Sequence, residues 1–275
     1  MNLEISPLDG RYKGKLVALG QYFSEFALMK SRCRIELLYL EALNETGLFE
    51  AMSSDEVGRI DGLKTSFSED DFERIKEIEK RTNHDVKAVE YFLQERLELK
   101  TPQMVHFALT SEDTNNLAYS TLLARFVKDE QLPLLRRLIG KLMEMGESSA
   151  AIPFPSKTHG QPASPSTVGK EIAVFIARLT RQYSQLRSFV FMGKLTGATG
   201  TFGAMQFAFP DFDWLSFSRD FVSRLGLEPN MVTTQIEDHD RWSEYFALVG
   251  RINNIVRDAD EDVWEYISRN YLVQI

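Results

Sequence analysis

Thr158-His159-Gly160-Gln161-Pro162 sets an imidazole between a hydroxyl side chain and a glycine, close to a proline and just ahead of a long helical pattern. Histidine titrates near neutral pH, so it can donate or accept a proton without help from a cofactor. The glycine and proline mark a place where the backbone turns and where a ligand can approach closely. A histidine packed inside a helix would have neither neighbour. The local chemistry is that of an acid–base site.

Three other histidines offer less. His84 lies in Asn83-His84-Asp85 at the start of a helical pattern, where the adjacent carboxylate can orient the ring and raise its basicity; a plain helix-capping segment is the competing reading. His106 is flanked by Val105 and Phe107 and reads as a packed residue. His239, within Glu237-Asp238-His239-Asp240, reads as a solvated, acidic helix start. No His-Glu-x-x-His pattern and no paired cysteines occur, so a metal site is not expected.

Thr110 and Ser111 open another helical pattern, and free N–H groups at such an end suit a substrate carboxylate or phosphate; an ordinary cap is the alternative. Gly193, Gly197, Gly200 and Gly203 form a glycine-rich connection that fits neither a Walker A loop nor a dinucleotide fingerprint. Its glycines serve either a turn or a close approach to a ligand. Ser6-Pro7-Leu8-Asp9-Gly10-Arg11-Tyr12 joins a turn to a guanidinium and a phenol. Arg11 there can pair with a phosphate or sit in a surface turn.

The elements that position these residues are helical nearly throughout. Apolar residues from Phe23 to Ala42 recur at helical spacing until Gly47, and Ser53 with Glu56 three residues on is a capping box. Ser68 before Glu69, Asp70 and Asp71 opens a further helix, acidic at its positive end. Another begins near Asp85. The spacing predicts a helix over about 165–191, and a last one from Trp242 to Ile267 of roughly 30 residues, or about 45 Å. Strictly alternating β-branched segments are absent, which argues against a major sheet. The expectation is an all-α protein with a small helical N-terminal domain over 1–108 and a central bundle of long helices over 109–275.

At 275 residues the chain can bury a sizeable core, and 43% hydrophobic with 26% charged residues is an ordinary globular composition. A net charge of −8 argues against nucleic acid as the main partner, while leaving room for an anionic small molecule in a locally basic pocket. The single cysteine, Cys33, excludes an internal disulfide and fits a reducing compartment. With no signal-peptide pattern at Met1-Asn2-Leu3 and no apolar run of spanning length, the sequence predicts a cytoplasmic protein that does not enter membranes.

Taken together, the segments resemble the bacterial adenylosuccinate lyases of the fumarase/aspartase superfamily. The resemblance rests on Ser6-Pro7-Leu8-Asp9-Gly10-Arg11-Tyr12, on the stretch from Arg81-Thr82-Asn83-His84-Asp85 through Phe92, and on Thr110-Ser111-Glu112-Asp113. It continues through Thr158-His159-Gly160-Gln161-Pro162-Ala163 and Thr233-Thr234-Gln235-Ile236-Glu237. That family splits a C–N bond in adenylosuccinate to give AMP and fumarate, and does the same to the succinyl-carboxamide ribotide of purine synthesis.

The resemblance implies His159 as general acid, with His84 assisting or orienting it. It implies Asn83, His84, Asp85, Thr110, Ser111 and Gln235 as substrate contacts, and Arg11 and Tyr12 as the phosphate site. It implies no metal or organic cofactor, and a homotetramer whose active sites combine residues of three subunits.

Two departures stand out. The glycine-rich loop Thr196-Gly197-Ala198-Thr199-Gly200-Thr201-Phe202-Gly203 lacks the asparagines common in relatives, and no catalytic role is assigned to it. In the family the last long helix leads to a Gly-Ser-Ser-x-Met-Pro loop that supplies a serine base, whereas this sequence ends at Tyr271-Leu272-Val273-Gln274-Ile275. Residues 1–275 alone are therefore expected to be inactive. Two other readings remain: a non-catalytic helical interaction protein on the same scaffold, or another lyase of the superfamily such as an argininosuccinate lyase.

Overall fold

In the computed structural model, which describes residues 5–273, six of the helices begin at a side-chain cap, supplied by Ser24, Ser53, Ser68, His84, Thr167 and Asp213. In chain order they are α1 (Gly20–Phe23), α2 (Glu25–Glu45), α3 (Ser54–Ser66), α4 (Glu69–Thr82) and α5 (Asp85–Leu97). They continue with α6 (Ser111–Phe126), α7 (Leu132–Ser148), α8 (Val168–Arg187), α9 (Gly203–Ala208), α10 (Trp214–Arg224) and α11 (Asp240–Ser268). Ser53 and Glu56 form the expected capping box of α3, and Ser68 with Asp71 forms a second one at α4. Gly47 follows α2 with φ +71°, a left-handed conformation that costs a glycine little.

Strands are few. β1 (Pro153–Thr158) and β2 (Gln161–Thr167) pair antiparallel, and β3 (Met192–Gly193) pairs parallel with β4 (Glu228–Pro229). The all-α expectation holds. One detail does not: the helix predicted from about residue 165 starts at Val168, because Thr167 caps it by accepting the Lys170 N–H and residues 161–167 are extended.

By contacts the chain divides into two units. The first comprises the described residues up to Arg125 together with Val190–Asp238; the second comprises Phe126–Phe189 together with the described residues from His239 on. Residues 109–125 and 190–238 thus group with the N-terminal segment, unlike in the expected division at residue 108. Ser31 on α2 donates to the Ala118 carbonyl on α6 at 3.2 Å, one of the bonds that ties them together.

The first unit buries α2 most deeply, with Met29, Cys33, Ile35, Leu37, Tyr39, Leu40 and Leu43 all within the core. Val86, Val89, Phe92, Leu93 and Leu97 of α5 are buried too. An aromatic cluster closes its other side: Tyr39 meets Phe217 and Phe221 edge-on, and Phe107, Phe209 and Trp214 gather nearby.

The second unit is built on α7, α8 and α11, with α8 packed against both of the others. Along α11, Tyr245, Leu248, Ile252 and Ile255 turn one buried stripe inward at helical spacing. Arg178 on α8 meets Asp258 on α11 at 2.8 Å, and the buried Tyr245 phenol donates to Gln131 Oε1 at 2.8 Å. Burial pushes that phenol up to about 12. At 29 residues α11 is about 44 Å long, as the sequence predicts.

Candidate active site

Asn83, His84 and Asp85 occupy the junction between two helices of the first unit. Asn83 ends α4 in the left-handed conformation, φ 51°, and its N–H donates to the Glu79 carbonyl at 2.8 Å. Asparagine tolerates that conformation better than most residues. His84 then caps α5, its Nδ1 accepting the Lys87 N–H at 3.2 Å. A ring nitrogen that accepts a hydrogen bond carries no proton, so the neutral ring holds its proton on Nε2. His84 is a cap, as the plainer reading of the sequence had it, and its ring is half exposed beside a cleft.

Asp85 is the first residue of α5. Its Oδ1 accepts the Val86 N–H at 2.8 Å, and its Oδ2 lies 2.7 Å from Arg32 Nη2. Arg32 is buried on α2, where its Nε donates to Asn115 Oδ1 of α6 at 2.8 Å. Burial alone would raise the Asp85 carboxyl, but Arg32, the Val86 N–H and His84 outweigh it and hold the group below the usual range. The carboxylate is ionised at neutral pH. An open cleft of about 400 Å³ is lined by these residues and by Glu25, Met29, Glu79 and Tyr119.

Thr110, Ser111 and Gln235 form a second cluster in the same unit. Asp113, three residues into the turn, accepts the Thr110 N–H through Oδ2 at 2.9 Å while its own N–H donates to the Thr110 carbonyl at 2.9 Å. Gln235 Nε2 stands 3.5 Å from Thr110 Oγ1. Below them the fully buried Lys194 Nζ pairs with Asp113 Oδ1 at 3.0 Å.

The loop that leads into α6 is strained, with His106 at φ 59° and Ala108 at φ 55°. Glu36 holds it from beneath: its Oε1 lies 2.7 Å from His106 Nδ1 and accepts the Thr114 hydroxyl at 2.6 Å. Burial works to lower the His106 pKa, yet the Glu36 carboxylate beside it prevails and raises it. His106 is thus a packed residue, as expected, with a partner that its own neighbourhood in the sequence does not announce.

Arg11 and Tyr12 lie in an exposed turn of the first unit, the guanidinium 5.5 Å from the Tyr12 ring centroid. Ser6 Oγ donates to Asp9 Oδ2 at 3.1 Å within that turn. The structure does not place either residue in the cleft.

His159 belongs to the second unit. With Gly160 it makes the two-residue connection between β1 and β2, Thr158 pairing with Gln161. Both turn residues have positive φ, 50° and 75°, as a type I′ hairpin requires. The ring is exposed at the tip of the hairpin.

The glycine-rich loop is explained by packing. A Cβ on Gly200, φ +73°, would stand 2.0 Å from the Thr233 carbonyl oxygen. Thr196 and Thr233 hydroxyls meet at 2.9 Å along the same seam. The loop thus joins the segment that carries Gln235.

Three residues escaped the sequence reading: Arg32, Glu36 and Lys194. For the first two a signal existed, since charged residues four apart interrupt the apolar positions of α2. Lys194, in Gly193-Lys194-Leu195, carries no such mark. Among the described residues no group of three or more His, Cys, Asp or Glu side chains is arranged to hold a metal ion, and no helix is long and apolar enough to cross a membrane.

The helical architecture is that of the fumarate lyases. It is similar to the solved fumarate lyase from Mesorhizobium sp. BNC1, with a TM-score of 0.78 at 16% identity over 91% of this chain and 57% of that one. It is also similar to the beta-carboxy-cis,cis-muconate cycloisomerase from Acinetobacter calcoaceticus sp. ADP1, with a TM-score of 0.74 at 19% identity and the same coverage. A family model described as lyase matches residues 10–273, and the chain belongs to that lyase family, within the fumarase/aspartase superfamily.

Curated relatives narrow the likeness. The chain is 45% identical to the adenylosuccinate lyase of Haemophilus influenzae over 98% of its length, and 45% identical to that of Escherichia coli K12 over the same share. The adenylosuccinate lyase of Legionella pneumophila strain Philadelphia 1 is 43% identical. The chain spans 61% of the length of each of these relatives.

Proposed function

We propose that this chain belongs to an enzyme that eliminates fumarate from adenylosuccinate, leaving AMP, and that treats the succinyl-carboxamide ribotide in the same way. The observation that carries the reading is the 45% identity to adenylosuccinate lyases across 98% of this chain. The polar cleft at Asn83, His84 and Asp85 supports it.

In the reaction a base removes a proton from the carbon beside a succinyl carboxylate. The released electron pair forms the C=C bond of fumarate, the C–N bond breaks, and the departing nitrogen gains a proton. Atoms balance without water or redox change. His159 is the acid in this reading. A positioned histidine supplies roughly 10²–10⁴-fold in such a role. Its place on a hairpin tip leaves the ring clear to meet a ligand.

His84 assists, donating from the Nε2–H that its cap bond fixes. Thr110, Ser111 and Gln235 hold the succinyl end, and Arg11 with Tyr12 holds the phosphate. No described residue is assigned as the base. The enzyme works in the cytoplasm in purine nucleotide synthesis, as a homotetramer with shared sites and no cofactor. Exposed Phe246, Val263 and Trp264 on α11 and Val174 on α8 support an assembly that covers the long helices.

The test is fumarate release from adenylosuccinate by the purified protein extended past residue 275 through a Gly-Ser-Ser-x-Met-Pro loop, followed by ultraviolet absorbance, with argininosuccinate as control and with residues 1–275 alone expected to stay inactive. Release from adenylosuccinate alone supports the reading. Release from argininosuccinate alone would move the protein to another lyase of the superfamily, and none from either would favour an interaction protein on this scaffold.

A further inference from the structure

Lys194 is the most fully enclosed cation of the first unit, with 0% of its side chain exposed. An ammonium has three protons to donate. Here three acceptors meet it: Asp113 Oδ1 at 3.0 Å, the Gly197 carbonyl at 2.9 Å and the Gln235 carbonyl at 2.7 Å. Its own backbone is held on both sides by Asn116, whose Oδ1 accepts the Lys194 N–H at 2.8 Å and whose Nδ2 donates to the Lys194 carbonyl at 3.1 Å.

The counterion is equally occupied. Asp113 is 0% exposed, and it accepts the Thr196 N–H at 3.1 Å and the Gly197 N–H at 3.3 Å on Oδ1, and the Thr110 N–H at 2.9 Å on Oδ2. One buried ion pair therefore grips the backbone at Thr110, at Gly197 and at Gln235. Two of those three carry substrate contacts in the reading above, and the third lies in the glycine-rich loop packed between them.

Stability alone is a poor reason for such a pair. Desolvating two charges offsets most of their attraction, and well-packed apolar residues of the same size often serve a core as well or better. What an apolar filling cannot do is fix backbone carbonyls and N–H groups of separate segments at set distances. We propose that Lys194 is a positioning residue for the substrate site, setting Thr110 against Gln235 through Asp113 and the Gln235 carbonyl. The proposal rests on the assignment of Thr110 and Gln235 as substrate contacts.

The test uses two variants of the protein extended through the serine loop, Lys194→Met and Lys194→Met with Asp113→Asn. The single change strands a buried carboxylate and is expected to lower the melting temperature sharply; the double change removes both charges and is expected to restore it to within a few degrees. In the restored variant KM for adenylosuccinate should remain raised roughly tenfold or more, with kcat within about threefold of the parent. Amide exchange at Thr110, Thr196 and Gly197 should be faster.

A folded double variant with unchanged KM and unchanged exchange would overturn the proposal. So would failure of both variants to fold, which would make the pair a determinant of folding. If the parent protein releases no fumarate, the functional reading fails by itself, and the amide exchange of the double variant still decides whether the Lys194–Asp113 pair sets these segments.

Discussion

Arg32 Nη2 stands 2.7 Å from Asp85 Oδ2, with the arginine side chain 4% exposed and the aspartate 42%. The cation comes from the core and its partner lines the cleft, so the interior fixes the charge that the cleft presents. The depressed Asp85 carboxyl stabilises the fold above the ordinary carboxylate pKa of about 4, and that contribution is lost as pH falls through the lower folded value. Arg32→Met should return the Asp85 carboxyl toward or above its usual range. Melting curves at pH 7 and pH 3 should show a smaller acid-induced drop in the variant. An equal drop in both proteins would mean that Arg32 does not hold the Asp85 charge.

His159 calls for a substitution that respects the turn. At φ 50° an alanine is strained by about 1–2 kcal/mol, whereas asparagine is at ease there. In the protein extended through the serine loop, His159→Asn should keep the melting temperature and cut turnover by roughly a hundredfold or more. His159→Ala should cut turnover as deeply and lose some hairpin order as well. Turnover near that of the parent in the asparagine variant would remove His159 from proton transfer.

Glu56 closes the α3 capping box and also accepts the Lys100 N–H at 2.7 Å. The backbone N–H groups of Lys100 and Ser53, with the Ser53 hydroxyl, hold its carboxyl down to about 2 against an ordinary 4.5. Its contribution is complete above pH 4.5 and fades as pH falls toward 2. Glu56→Gln should therefore lower the melting temperature at pH 7 and matter little near pH 2. A loss that is the same at both ends of the range would rule out the charge as the cause.

Gly200 should tolerate no side chain. A Cβ there would stand 2.0 Å from the Thr233 carbonyl oxygen, and φ is +73°. Gly200→Ala is expected to cost about 1–3 kcal/mol or more, since the obstacle is backbone rather than a flexible side chain. Denaturant unfolding measures it. A loss below a few tenths of a kcal/mol would show that the seam between the loop and Thr233 gives way easily.

Much of this fold was legible because its signals are local. Ser53 with Glu56, Ser68 with its acidic run, and the stripe on α11 are written within a few residues of where they act. The sequence marks the turn at His159 but not the two strands on either side of it. Both faces of that ribbon are largely exposed, so no apolar alternation marks it, and Pro155, Pro162 and Pro165 obscure it further. At the site, Asn83, His84 and Asp85 could be named from sequence, but Arg32 lies 53 positions from Asp85. Lys194 likewise owes its burial to residues that only the folded chain brings near.

That separation has a consequence for synthesis. The first unit is interrupted in the chain by residues 126–189, and Asp113 precedes its counterion Lys194 by 194 − 113 = 81 residues. At about 5–20 residues per second the ribosome needs roughly 4–16 s to span that gap. Through that interval α6 is complete while its most buried carboxylate has no cation. Until Lys194 emerges the Asp113 carboxylate stays in water, so the ion pair at the centre of this unit is among its late contacts.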